Sequence, residues 1–110
     1  MNYQTINFRK EIRSISKFFS LKAKIRKIKW FCNIDKNIPN EFNTDPKRLR
    51  QVLMNLISNS MKFTFEGFVK IKARLIYIQN KQAIKISVSD TGLGLNEKDQ
   101  KNLFQLFNTH

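Results

Sequence analysis

The chain has 110 residues, of which 41% are hydrophobic and ten are Phe, a composition that suffices for one domain with one core and argues against disorder. Its formal net charge of +13 fits an anionic partner such as nucleic acid, an acidic membrane surface or a polyphosphate ligand. A single cysteine, Cys32, excludes an internal disulfide and favours a reducing compartment. No apolar run approaches the ~18 residues that cross a bilayer, so the segment is predicted to be soluble.

The first half of the chain is predicted to form a helix, a short strand and a loop. Apolar residues recur at three- and four-residue steps from Phe8 to about Ile28, the period of an amphipathic helix. Residues 29–34, KWFCNI, are rich in aromatic types and end at turn formers, which predicts a short strand. The loop that follows is expected to continue to Asp45, because Asp35, Asn37 and Pro39 are turn formers.

Asp45-Pro46 predicts the start of a second helix, with aspartate as the N-cap and proline at the first helical position. This helix is expected to run to about Phe63. Beyond Glu66-Gly67, period-two alternation predicts a hairpin of two antiparallel strands. The apolar residues of that hairpin are Val69, Ile71, Ala73, Leu75 and Tyr77 in the first strand and Ile84, Ile86 and Val88 in the second.

A third helix is predicted from Asn96-Glu97, with an apolar face of Leu103, Phe104, Leu106 and Phe107. The order helix, strand, helix, strand, strand, helix predicts an α/β two-layer sandwich with an incomplete sheet.

The second helix carries an unusual line of polar residues. Its members, all within an arc of roughly 80°, are Gln51, Asn55, Asn59 and Lys62. Asparagine costs a few tenths of a kcal/mol in a helix interior, which suggests a ligand. A carboxamide oxygen can coordinate a hard cation, and its NH₂ group and a lysine can bind phosphate. The line therefore fits magnesium with a polyphosphate; the alternative is that the asparagines only hydrogen-bond loops of the fold.

A second polar signal stands at the end of the hairpin, in the segment SVSDTGLGL. A carboxylate there, Asp90, can accept a hydrogen bond from an exocyclic amine, and Gly92 and Gly94 allow the backbone to approach a ligand closely. Alone this pattern is weak, because turns after strands favour the same residues.

Together these segments resemble the ATP-binding catalytic domain of sensor histidine kinases, within the superfamily that includes type II topoisomerases, a heat-shock chaperone and mismatch-repair ATPases. DPKRLRQVLMNLISNSMKFTFEGFV resembles the asparagine box of that family, DTGLG its first glycine box, and LFQLF its phenylalanine box. The resemblance implies a Bergerat-type ATP-binding fold, a mixed sheet covered by helices on one face, with ATP and Mg²⁺ as cofactors.

By this resemblance Asn59 is the principal magnesium ligand, and Asn55, one turn earlier, supports the metal and its water. Asn55 stands where hydrolytic relatives carry a glutamate that activates water; since an amide cannot act as a general base, this favours transfer to a histidine over hydrolysis. The remaining implied nucleotide-binding residues are Lys62 at the phosphates, Phe63 near the nucleotide, Asp90 at the adenine amino group, and Gly92 and Gly94 in the pocket wall.

The sequence departs from the family pattern at several places. Residues 1–110 stop at the phenylalanine box, before the usual lid and second glycine-rich box. An incomplete domain is therefore predicted, and the sequence downstream of residue 110 would test this prediction. Ser60 stands where the family usually has alanine, and Asn96 where it often has proline. His110 lacks the acidic neighbour of a substrate histidine, so the phosphoacceptor is expected on a separate histidine-containing dimerisation domain, with a response-regulator receiver domain downstream.

The favoured function is therefore that of a two-component histidine kinase domain. The domain is expected in the cytoplasm, without direct membrane contact, and the full-length protein could attach it to a membrane-anchored sensor. One alternative is a non-catalytic nucleotide-binding module or a decayed kinase fragment. A basic nucleic-acid-binding domain ranks last, because only the charge of +13 supports it.

Overall fold

The computed structural model describes residues 2–91 and 100–108. Four strands form one sheet in the order β2-β4-β5-β6, with β2 parallel to β4 and the other pairs antiparallel, while β1 and β3 form a small antiparallel sheet. The larger sheet is mixed, as predicted. The elements are β1 Gln4–Ile6, α1 Phe8–Ile25, β2 Lys29–Ile34, β3 Phe42–Thr44, α2 Pro46–Phe63, β4 Phe68–Ile78, β5 Lys81–Asp90 and β6 Gln100–Phe107.

Helix α1 ends at Ile25, slightly before the predicted end near Ile28. The chain reverses at Lys27, which adopts a left-handed φ of 60°, and the Ile28 N–H donates to the Ala23 carbonyl at 2.8 Å. Ile28 is still buried, because the turn returns it to the core. The apolar period thus identified an inward-facing residue but not the turn that places it.

Both helices pack on one face of the larger sheet, which gives the two-layer α/β arrangement that the sequence predicted. The opposite face carries basic side chains, among them Arg74 and Lys85, which are exposed. No described helix is long and apolar enough to cross a membrane. The core includes Phe8, Ile12, Phe19, Leu49, Leu53, Ile57, Val69, Ile71, Ile84, Ile86 and Val88.

The prediction of a third helix is wrong for residues Gln100–Phe107, which form strand β6. Leu106 is buried opposite Ile84, and Phe104 packs against the core. The spacing of the apolar residues in this segment is compatible with a helix or a strand. The segment forms a strand because pairing with the open edge of β5 supplies hydrogen bonds to its backbone. The proposed start at Asn96-Glu97 lies outside the described residues.

Strands β1 and β3 were not predicted. Each has three residues, and β3 lies in the segment that was interpreted as a loop up to Asp45. A strand this short has too few residues to show a period of two.

Candidate functional site

Helix α2 begins where the sequence predicted, because its first turn is capped by a side chain. Asp45 Oδ1 accepts hydrogen bonds from the backbone N–H groups of Lys47 at 3.1 Å and Arg48 at 3.3 Å, and Pro46 opens the helix. This cap satisfies two of the donors that a helix start leaves unpaired. It fixes the helical phase of every polar residue downstream.

The predicted polar line of α2 is on the outer surface of the helix. Leu49, Leu53 and Ile57 are fully buried on the inner side. The exposed arc is broader than predicted, because Arg50, Met54 and Ser58 are exposed too. The four residues of the line, all exposed, are Gln51, Asn55, Asn59 and Lys62.

The outer face of α2 contains no carboxylate, since residues 46–63 include neither Asp nor Glu. Lys62 lies in the last turn of the helix, where a cation also suits the helix dipole. A face of carboxamides, lysine and arginine is unusual for a solvated helix but is favourable beside a polyanion.

Asp90 ends strand β5 on the face that the helices cover. It follows Ile84, Ile86 and Val88 at steps of two, and alternate side chains of a strand share one face; those three are core residues. The Asp90 carboxylate is 2% exposed, and its Oδ1 atom has no hydrogen-bond partner among the described residues. A buried oxygen without a partner is costly, so it marks a place where a ligand donor would be stabilising.

The chain path brings Asp90 to the C-terminal end of α2. Helix α2 ends at Phe63 and β4 begins at Phe68, so residues 64–67 alone connect them. Val69, the second residue of β4, is paired with Asp90. The last turn of α2, which carries Lys62, and the Asp90 carboxylate therefore lie at the same end of the sandwich.

Two hydrogen bonds hold the strand ends together there. The Thr91 hydroxyl donates to the Glu66 carbonyl at 2.7 Å, and the Thr91 N–H donates to the Phe68 carbonyl at 3.3 Å. Gly67 has a φ of 103°, and a Cβ on this glycine would lie 2.5 Å from Thr91 Oγ1. Glycine at position 67 is therefore required by both the backbone angle and the space.

An arginine at the C-cap of α1 holds the end of α2. The Arg26 guanidinium donates to the Met61 carbonyl at 2.5 Å and to the Thr64 carbonyl at 2.7 Å. These carbonyls belong to the end of α2, where the regular helical donors run out. The Met61 carbonyl also accepts a longer hydrogen bond, of 3.4 Å, from the Thr64 N–H. This contact was not predicted for Arg26, because no pattern in the sequence signals it.

Ser60 is a second buried residue with an unpartnered oxygen. It is 2% exposed, and its Oγ atom has no hydrogen-bond partner in the described part of the chain, although its backbone carbonyl accepts from the Thr64 hydroxyl at 2.7 Å. Ser60 follows Leu53 and Ile57 on the inner side of α2, and this spacing could have identified it as buried.

Two of the predicted site residues and one side chain lie outside the part of the chain that the structure describes. Gly92 and Gly94 lie outside the described residues, as does the side chain of Phe63. No group of three His, Cys, Asp or Glu side chains within residues 2–91 and 100–108 could hold a metal ion. The groups on α2 that could do so are neutral carboxamides, of Asn55 and Asn59, acting together with the oxygens of a bound phosphate.

Comparison with known proteins identifies relatives of the chain. Residues 44–110 match the family described as Histidine kinase-, DNA gyrase B-, and HSP90-like ATPase. The chain is 34% identical over 107 residues to the Aerobic respiration control sensor protein ArcB homolog of Haemophilus influenzae, a match that covers 97% of this chain and 32% of that protein. It thus spans about a third of the length of that relative, and far less of other sensor proteins it matches.

Solved histidine kinase structures share the fold. The catalytic domain of histidine kinase ThkA superposes with a TM-score of 0.72 at 21% identity, covering 98% of this chain and 97% of that domain. Full-length ShkA in complex with AMPPNP gives a TM-score of 0.72 at 27% identity, covering 84% of this chain and 19% of that one. The family match spans α2, the hairpin and Asp90, which are the elements that build the candidate site. The chain therefore belongs to the family of histidine kinase-, DNA gyrase B- and HSP90-like ATPases.

Proposed function

We propose that this chain is the ATP-binding catalytic domain of a two-component sensor histidine kinase, which transfers the γ-phosphate of ATP to a histidine on a separate domain. The observation that carries the proposal is the buried Asp90 carboxylate, whose Oδ1 atom lacks a partner among the described residues. Asp90 lies at the same end of the sandwich as the last turn of α2, a helix without Asp or Glu. An exocyclic amine at the Asp90 oxygen and phosphates along α2 would satisfy both features at once.

The residues of α2 divide into metal and phosphate ligands. Asn59 would hold Mg²⁺ through its amide oxygen, and Asn55, about 6 Å earlier along the helix axis, would support the metal and its water. Lys62 would bind the phosphates. Both carboxamides are exposed, and neutral oxygen ligands leave the charge of the metal available to the phosphates.

The residues beyond α2 would hold the base. Asp90 would accept a hydrogen bond from the adenine amino group, Phe63 would lie near the nucleotide, and Gly92 and Gly94 would form the pocket wall. Arg26 holds the end of α2 through the Met61 and Thr64 carbonyls; this contact limits movement of the phosphate-binding turn relative to the base site.

The protein contributes position and charge to the reaction, not a proton acceptor. When bound, ATP supplies the phosphoryl group and Mg²⁺ neutralises its developing charge. Asn55 orients groups by hydrogen bonding but cannot remove a proton from water, because an amide is not a base at neutral pH. Water attack is thereby disfavoured, and an imidazole, already a nucleophile, needs no such base.

The partners follow from this reaction. ThkA has been solved in complex with the response regulator protein TrrA. For this chain we expect a histidine-containing dimerisation domain as the acceptor and a response-regulator receiver domain as the next carrier. Because ATP is the phosphate donor, the domain would work in the cytoplasm.

The test of adenine recognition uses Asp90→Asn with Asp45→Asn as its matched control. Asparagine at position 90 replaces an acceptor oxygen by an NH₂ group, so we expect affinity for a fluorescent ATP analogue to fall roughly tenfold or more. Asp45→Asn makes the same chemical change at a helix cap, where asparagine is equally suitable, and should leave affinity unchanged. Equal affinity of wild type and Asp90→Asn would refute the proposed base site.

The metal and the transfer step are tested separately. Asn59→Ala should remove the difference between nucleotide affinities measured with Mg²⁺ and with a chelator, because the alanine side chain offers no oxygen to the metal. Transfer is measured with radiolabelled ATP and an added histidine-containing dimerisation domain. Magnesium-dependent ATP binding without transfer would assign the chain to the alternative class of non-catalytic nucleotide-binding modules or decayed kinase fragments.

A further inference from the structure

A basic groove lies between α1 and the edge strand β2, away from the candidate nucleotide site. Its volume is about 610 Å³. None of the residues that line it is acidic, and burial raises the pKa of the Cys32 thiol, which keeps its floor uncharged at neutral pH. The lining includes the cationic residues Arg9, Arg13, Lys17 and Lys36.

One edge of strand β2 has no strand partner among the described residues, and its backbone groups face this groove. It is the terminal strand of the larger sheet, and within residues 2–91 and 100–108 it pairs only with β4. The Lys29 and Asp35 N–H groups donate to carbonyls of β4 and its turn at 2.9 and 2.8 Å. Since backbone groups alternate in direction along a strand, those of the intervening even-numbered residues point to the groove. These residues are Trp30, Cys32 and Ile34.

Helix α1 runs antiparallel to β2, so its cationic residues Arg9, Arg13 and Lys17 lie in a row along the free edge of β2. Near one end Trp30 stacks on Phe19, with ring centroids 6.3 Å apart, and donates to Ser16 Oγ at 2.8 Å. Near the other end the Arg9 guanidinium donates to the Asp35 carbonyl at 3.1 Å. Residues four apart on a helix are ~6 Å apart along its axis, and alternate residues of a strand are ~6.8 Å apart. The cation spacing on α1 therefore matches the side-chain spacing of a strand beside β2.

We propose that this groove binds an extended acidic peptide segment of a partner protein, which adds to β2 as a further strand of the sheet. The main chain of the peptide pairs with Trp30, Cys32 and Ile34, and its carboxylates, at alternate positions, meet the cations of α1. Within residues 2–91 and 100–108, Arg13 and Lys17 form no ion pair, so their charges are available to the peptide. Strand pairing supplies affinity, and the charges select acidic sequences.

The backbone contribution is tested by comparing Cys32→Pro with Cys32→Ala. The probe is a fluorescein-labelled peptide of alternating Glu and Val with blocked ends, and fluorescence polarisation reports its binding to the 110-residue chain. Proline at position 32 removes a donor that points away from β4, a position that an edge strand tolerates. We expect Cys32→Ala to bind like wild type and Cys32→Pro to bind roughly tenfold more weakly or worse.

Amide hydrogen exchange of the wild-type chain gives an independent readout if Cys32→Pro fails to fold. Saturating probe should slow exchange at Trp30, Cys32 and Ile34, while exchange at Phe31 and Asn33, whose N–H groups face β4, should change little. A probe that binds without slowing exchange at the three even-numbered residues would overturn strand addition. A dissociation constant weaker than ~1 mM would overturn the peptide site itself.

The charge contribution is tested with Arg13→Glu/Lys17→Glu and with a probe in which Lys replaces Glu. Charge reversal should weaken the acidic probe roughly tenfold or more and strengthen the basic one. Equal binding of the two probes to wild type would contradict the proposed selectivity. A single-stranded oligothymidine that displaces the acidic probe from Cys32→Ala and Cys32→Pro alike would assign the groove to polyanions in general and overturn strand addition.

Discussion

Two buried oxygens, Ser60 Oγ and Asp90 Oδ1, lack hydrogen-bond partners among the described residues. The two residues differ in how much of their role the sequence predicts. Asp90 was predicted as a ligand residue because a carboxylate ends a strand and precedes glycines. Ser60 was noted only as a departure from alanine, because a serine by itself is compatible with either side of a helix; its spacing from Leu53 and Ile57 was the signal that it is buried.

We predict that Ser60→Ala stabilises the chain without weakening nucleotide binding. The substitution removes a buried hydroxyl that makes no hydrogen bond in the described part of the chain and replaces it with a better helix former. The free energy of unfolding should rise by about 1 kcal/mol, as measured by urea denaturation. ATP-analogue affinity should stay within about threefold of wild type, since the family pattern has alanine there. Destabilisation by more than 1 kcal/mol would show instead that the hydroxyl is paired.

At the level of elements, local chemistry made α2 predictable and tertiary pairing made β6 unpredictable. Asp45 and Pro46 mark the start of α2 whatever surrounds it. Residues 100–107 show no such local marker, and the edge of β5 determines their state. The predicted hairpin of β4 and β5 is confirmed. It was predictable because the alternating pattern of both strands and the turn residues between them indicate the same structure; Gln79 and Asn80 adopt the positive φ of a hairpin turn.

We predict that Gly67→Ala destabilises the connection between α2 and the hairpin. The new Cβ would meet Thr91 Oγ1 at 2.5 Å, and the φ of 103° disfavours a side chain. Unfolding free energy should fall by about 2 kcal/mol or more. In a Thr91→Ala background the cost should be smaller, because the side-chain clash is absent and only the backbone strain remains. Equal costs in the two backgrounds would show that Thr91 is not what excludes a side chain at position 67.

The end of β2 carries a pH-dependent contact through Asp35. Its carboxylate accepts hydrogen bonds from the N–H groups of Asn37 at 3.1 Å and Leu75 at 3.2 Å, and these bonds lower the pKa of Asp35. A carboxyl whose pKa is lower in the folded than in the unfolded state stabilises the fold above its unfolded value of about 3.9. That contribution disappears as the pH falls through the folded value.

We therefore predict that Asp35→Asn is less stable than wild type at neutral pH and that the difference narrows below about pH 4. Urea denaturation at a series of pH values measures it. Glu41→Gln serves as the control, since Glu41 is exposed and forms no ion pair with a described residue. A difference between Asp35→Asn and wild type that stays constant down to about pH 2 would contradict a role for the carboxylate charge.

At the scale of the whole molecule, composition predicted one core and an anionic partner but not where the charge lies. The two-layer arrangement followed from the order of helices and strands, whereas the strand order β2-β4-β5-β6 depends on long-range pairing that no local pattern records. The structure places groups of cations at the outer face of α2, in the groove beside β2 and on the open face of the sheet, apart from cations such as Arg26 that hold other contacts. Only the first group was predicted to have a ligand.

The net charge of +13 should make stability depend on salt. Arg50 and Glu11, 3.3 Å apart, form the only ion pair in residues 2–91 and 100–108, so repulsion among cations exceeds local attraction. Raising NaCl from about 0.01 to 0.1 M shortens the screening length from about 30 to 10 Å, and we predict a rise of about 1 kcal/mol in the free energy of unfolding.

The variant Lys85→Glu provides the control, because Lys85 lies opposite Arg74 in the pairing of β5 with β4. Opposite charges there should increase stability at low salt and reduce its dependence on salt; a wild-type chain that loses stability as salt rises would show that attraction between charges dominates the fold.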